Sequence, residues 1–284
     1  SSEFSHESPM PWWSVVLVPG LAQLSLLTLF QATVAVRAEI QGIDGAVARE
    51  QVGVDPLNIG MVQLVAFGAA LAFGLRLFAS NSGLREALRL RPVPLSLIFW
   101  SMMLGVSLQF PLAEVGNYLF EIWPMPVEEQ LARQRMLRPT SVGHALSLIF
   151  ALVVVAPVAE ELLFRGLLLP RLAVRYGAPI GLLLTSVVFG LIHLSLVTSV
   201  YAAVGGVILG FVALRTRSTI PAIVAHAAIN SVPLLLPPQV VEIDGFNVVA
   251  DRVYHLPLPL LAAASLAAVV SLAAIIRLSA DLNE

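Results

Sequence analysis

PIGLLLTSVVFGLIHLSLVTSVYAAVGGVILGFVAL, residues 179–214, runs for 36 positions without an Asp, Glu, Lys or Arg. A bilayer hydrocarbon core of about 30 Å is crossed by roughly 20 apolar residues in a helix. The run is too long for one crossing and long enough for two, and the polar group Ser195, Thr198 and Ser199 marks the turn between them. Inside lipid every backbone amide must be bonded within its own helix or around a closed barrel. The ten-residue alternation of barrel strands is missing, so helices are the spanning elements.

Working outward, the same criterion places crossings at 12–36, 57–78, 95–119 and 145–169 before the run, and at 220–236 and 256–276 after it. With 179–196 and 200–214 the total is eight. Composition agrees. The 284-residue chain is 58% hydrophobic and 12% charged, with a mean hydropathy of +0.88, whereas soluble domains are about half apolar and a quarter charged. The expected fold is all-α, a polytopic membrane bundle forming one domain over 12–276 with tails at 1–11 and 277–284. The tail begins Ser-Ser-Glu-Phe, which resembles a tag remnant, with Met10 a candidate native start.

A net charge of -2 and the lack of any basic run give no sign of a nucleic-acid partner. There is no cysteine, which excludes disulfides, a thiolate nucleophile and a Cys-based zinc site. Every basic side chain is an arginine. With the N-terminus inside, ten of them, counting Arg165, Arg171 and Arg175, fall in inner segments and six in outer ones. By the positive-inside rule the expectation is a multi-pass protein, of the plasma membrane in a bacterial cell, with both termini cytoplasmic. Nothing in the sequence sets an oligomeric state.

Ionisable side chains inside spanning segments are costly and commonly face a working interior. Here they are few: Glu160, Glu161 and Arg165 in the fourth crossing, His193 in the fifth, and His226, with the amide Asn230, in the seventh. Adjacent helical residues differ by about 100°, so the two glutamates point apart, while Glu161 and Arg165 share a face at i, i+4. That pair reads as a structural ion pair. Glu160 has no partner on its own helix, and an unpaired carboxyl in an apolar interior has the makings of a general base. His226 and Asn230, again i, i+4, offer two neighbouring donors of the kind that stabilise an oxyanion. Phe189 stands one turn before His193 and is expected to cover its ring. Counted at 1.5 Å per residue, the three helices bring these groups to nearly one level, nearer the inner ends, so the site is expected to open to the cytoplasm.

These motifs, EELLFR at 160–165, FGLIH at 189–193 and HAAIN at 226–230, resemble in order those of the CAAX prenyl protease and bacteriocin-processing family, which includes the Ras-converting endopeptidases. The likeness covers about 145–236 and implies an intramembrane glutamic protease there. By that resemblance Glu160 activates water, His193 helps orient or deprotonate it, and His226 with Asn230 forms the oxyanion hole. Glu161 and Arg165 match the second glutamate and the arginine, with Phe189 in support. The implied partner is a peptide or membrane-protein substrate, prenylated in the eukaryotic members, and no cofactor is implied. Two other readings of the same cluster remain: a zinc peptidase with Glu160, His193 and His226 as ligands, although H-E-x-x-H is absent, and a non-catalytic scaffold or transporter.

Overall fold

The structure, a computed structural model, describes residues 9–281, and the segment expected to be a tag remnant falls largely on residues 1–8, outside them. Eleven helices and no strand are present among the described residues, counting Val142–Tyr176 as one continuous helix. They are α1 Ser14–Gln41, α2 Gly45–Gly53, α3 Pro56–Phe78, α4 Leu84–Ala87, α5 Leu95–Ile122, α6 Val127–Leu137, α7 Val142–Tyr176, α8 Ala178–Leu191, α9 Leu196–Thr216, α10 Ile220–Leu235 and α11 Leu258–Asp281. Helix ends follow local chemistry. Asp55 accepts from the amides of Leu57 and Asn58, with Pro56 in the first turn, where a missing N–H costs nothing. Gly177, at φ 85°, stops α7 before Pro179. The turn between α8 and α9 lies at 192–195, earlier than expected: of its three marker residues only Ser195 is in it, and Thr198 and Ser199 lie in the first turn of α9.

Six helices are long and apolar enough to cross a membrane, namely α1, α3, α5, α7, α9 and α11. The apolar helices α8 and α10, at two of the eight expected crossings, have only 14 and 16 residues, about 21 and 24 Å at 1.5 Å per residue. Irregular backbone at membrane depth is tolerated where it lines a cavity. The chain beyond both short helices does so, with His193 after α8 and Pro237 after α10 in one cavity wall. Helix α11 continues to Asp281, into the segment expected as the last tail. Likewise Met10, placed in a tail, is buried and its amide donates to the carbonyl of Arg171 at 3.4 Å.

α7 runs through the middle, packed against α3 on one side and α10 on another. It is π-helical over Ile149–Val155 and Leu162–Leu168, and each wide stretch is followed within two residues by a proline, Pro157 or Pro170. Proline lacks an amide hydrogen and its ring crowds the carbonyl one turn back, and a wider turn accommodates both effects. Between the two stretches lies the α-helical piece Ala156–Glu161, whose last two residues are the paired glutamates.

The end of the bundle holding Met10 is knitted by polar contacts to backbone. Arg171 Nη1 donates to Ala87 O and Leu167 O at 3.0 Å, and Thr219 Oγ1 donates to Leu88 O at 2.7 Å. The cavity lies toward the opposite end, among α6 and the segment 237–254. Arg165, counted among inner arginines, sits fully inside the bundle and carries no topological weight.

Candidate active site

The two glutamates of α7 turn to different neighbours, as their 100° separation requires. Glu161, fully buried, accepts at Oε1 from Arg165 Nη1 at 2.9 Å and from His226 Nδ1 at 2.8 Å. Arg165 also donates from Nη2 to Gly206 O at 3.1 Å and lies 4.3 Å above the Phe189 ring, a cation–π placement. A Cβ on Gly206 would come within 3.2 Å of that guanidinium, so the glycine is what lets α9 approach. The ion pair anticipated within one helix is thus a four-helix junction. Its carboxylate orients an imidazole as well as neutralising an arginine.

Glu160 faces the other way. Its Oε1 accepts from Gln63 Nε2 of α3 at 2.9 Å, and its Oε2 lies 3.9 Å from His226 Nε2. The last gap is too long for a direct hydrogen bond and suits one bridging water. Since a carboxylate can only accept, His226 holds a proton on Nδ1, and Nε2 is the atom turned to Glu160.

His193 is not in a helix as expected. α8 stops at Leu191, His193 N donates to Gly190 O at 3.0 Å, and the exposed ring sits in the following turn. Its Nδ1 donates to Phe189 O at 2.9 Å, because a carbonyl can only accept, which leaves Nε2 with a lone pair in the neutral ring. Phe189 does more than cover His193: ring centroids lie 5.3 Å from His193 and 5.8 Å from His226, so one phenyl separates both imidazoles. Asn230 spends one Nδ2 hydrogen on Leu152 O at 2.9 Å and keeps a second.

His193, His226 and Asn230 line a cavity of about 720 Å³, whereas the two glutamates are not in its wall. One face of α5, Gln109, Leu112, Ala113, Gly116, Asn117 and Phe120, forms a long side of it at helical spacing. Segment 237–254 and α6 enclose the far end. α6 carries EEQLARQRML and is a helix whose Gln134 donates to Asn247 O at 2.9 Å. Among the described residues no three His, Asp or Glu side chains converge in a group able to hold a metal ion.

The cavity's cover is clamped to α5 by His255, three residues ahead of α11. His255 donates from Nδ1 to Glu114 Oε1 at 2.7 Å and from Nε2 to Glu121 Oε1 at 3.1 Å, while Tyr118 packs on its ring at 4.7 Å. Hydrogen bonds to Glu121 and Glu114 hold its pKa above the ordinary value despite some desolvation. A folded-state pKa raised above the unfolded one gives stability that is fully present below the unfolded value and lost as pH rises through the folded value. The segment 240–255 should therefore exchange its amides faster, after correction for intrinsic rates, on going from about pH 6 to about pH 9. His255→Ala should remove the difference, and equal protection in wild type at both pH values would refute the clamp.

These features define a class: a multi-pass helical membrane protein with a buried carboxylate and imidazole centre beside a cavity, the equipment of a hydrolase. More particularly, residues 142–232 match the family model described as Type II CAAX prenyl endopeptidase Rce1-like, a family of membrane proteases. The match spans α7 to α10 and includes Glu160, Glu161, Arg165, His193, His226 and Asn230. No curated protein and no solved structure matches the chain.

Proposed function

We propose that the protein is an endopeptidase that hydrolyses a peptide bond of a peptide or membrane-protein substrate in its cavity, using water activated at Glu160. The observation that carries this reading is the placement of Glu160 Oε2 at 3.9 Å from His226 Nε2, with His226 in the cavity wall. A water between them gives one proton to Glu160 as its oxygen attacks the scissile carbonyl, while its other O–H bond stays intact and is oriented by hydrogen bonding to His193 Nε2, which lines the same cavity. The oxyanion receives Asn230's second Nδ2 hydrogen and an N–H from His226 Nε2. Because Nδ1–H is held by Glu161, that second donor exists only in the imidazolium. Glu160 finally returns its proton to the leaving amine.

The reading needs no metal, and cleavage is expected to survive chelators. The arginine bias favours cytoplasmic termini, which puts the cavity mouth on the other side of the membrane.

The test compares cleavage of an internally quenched peptide library by the full chain in vesicles with that by vesicles alone. His226→Ala and Asn230→Ala should each lower the rate by on the order of 10² to 10³, the usual effect of losing an oxyanion donor. Wild-type rates in both variants, or no cleavage by the wild type, would refute the reading.

A further inference from the structure

Gln63 sits in the middle of α3, far outside the matched segment 142–232, and is buried at 9% exposure. One turn earlier on the same helix is Gly60, where a Cβ would stand 3.0 Å from Ala151 Cβ and 3.1 Å from its Cα. A glycine there permits a close approach of α3 to the first π-helical stretch of α7. That approach brings the Gln63 amide within 2.9 Å of Glu160. A long polar side chain in an apolar helix is costly to bury unless it is bonded, and here its bond goes to the carboxylate assigned as the base.

Resting on that assignment, we propose that Gln63 is a positioning residue that selects which oxygen of Glu160 reacts. The amide hydrogen occupies Oε1 and fixes the carboxylate plane, which leaves Oε2 turned to His226 and free to take the proton of water. When Oε2 is protonated the bond at Oε1 persists, so the carboxyl neither swings nor loses its partner during the cycle. Gln63 touches neither water nor substrate. The catalytic centre is therefore completed by α3, and the segment from α7 to α10 does not contain all of it.

The experiment uses the full chain in vesicles of phosphatidylethanolamine and phosphatidylglycerol. Infrared difference spectra between wild type and Glu160→Gln isolate the carboxylate stretch of Glu160, and Gln63→Leu, close in size but without a donor, should shift that band. Rates per folded molecule on the quenched peptide library should fall in kcat by about 10- to 100-fold, as expected for a misplaced catalytic group, with KM within about twofold because the cavity wall is untouched. Added to Glu160→Gln, the Gln63→Leu change should cost nothing further. Gln63→Met, more flexible in a tight site, serves if the leucine variant does not fold.

An unmoved carboxylate band, or a wild-type kcat in Gln63→Leu while Glu160→Gln is inactive, overturns the positioning role and leaves the protease reading intact. Wild-type kcat in Glu160→Gln overturns the protease reading itself.

Discussion

Glu160→Gln is expected to abolish peptide cleavage while leaving the fold in place. The substitution keeps the shape of the side chain, and its carboxamide oxygen can still accept the hydrogen from Gln63 Nε2 that now fills Oε1 at 2.9 Å. At the position of Oε2 it presents an N–H₂ group, which cannot take a proton from water. Loss of a general base costs about 10² to 10⁴ in rate. The loss here should lie at the upper end or beyond, because the neighbouring carboxylate, Glu161, is fully buried with its Oε1 engaged by Arg165 and His226. The check is the initial rate on the peptide library beside a thermal melt in detergent. A normal melt with a wild-type rate would show that Glu160 has no part in the chemistry.

Arg165→Leu is expected to have the largest effect on stability. The guanidinium is fully buried, bonded to Glu161 at 2.9 Å and to Gly206 O at 3.1 Å, and stacked on Phe189. Removing it strands the Glu161 carboxylate in an apolar interior, a change that costs about 3 to 5 kcal/mol when one partner of a buried pair is lost. Whole domains are stable by about 5 to 15 kcal/mol, so the variant should melt well below the wild type and give less folded protein in membranes. Adding Glu161→Leu should restore part of the yield, since a buried pair replaced by apolar groups is often tolerated. The double variant should nonetheless be inactive, because His226 has lost the acceptor for its Nδ1 proton. A single Arg165→Leu variant that melts with the wild type would contradict the arrangement.

The crossings were legible because lipid imposes one rule along the whole chain. Runs of about 20 apolar residues, caps such as Asp55 and the glycine at 177 locate the helices with little help from tertiary context. The site was legible in part for the same reason: few ionisable side chains are buried in these helices, and their i, i+4 spacing shows which face each takes. What escaped were groups whose role depends on a neighbour far along the chain. Gln63 is a single uncharged amide in α3, and only the approach at Gly60 reveals its partner. A search for any long polar side chain in a spanning run, not only ionisable ones, would have found it. The coupling of His226 to Glu161 was hidden because i, i+4 logic gave Glu161 a sufficient partner already. His193 was misplaced by one local event, the end of α8 at Leu191, which no proline or glycine cap announces. The direction of the cavity depended on how α6 and segment 237–254 fold over α5, a matter of packing that hydropathy does not encode.

The wide turns of α7 make the identity of the base a question of counting. Ile149–Val155 ends only five residues before Glu160, and the helix downstream is held by Gln63, His226 and Gly206 from three other helices. If one residue were removed from that stretch with its start held fixed, each later side chain would inherit the place of the one before it. Glu161 would then stand opposite Gln63, and Leu162 would stand opposite His226. Two neighbouring glutamates are chemically the same acid, so the frame in which the chain is threaded through its π turns, and not the residue type, decides which one works and which one only holds.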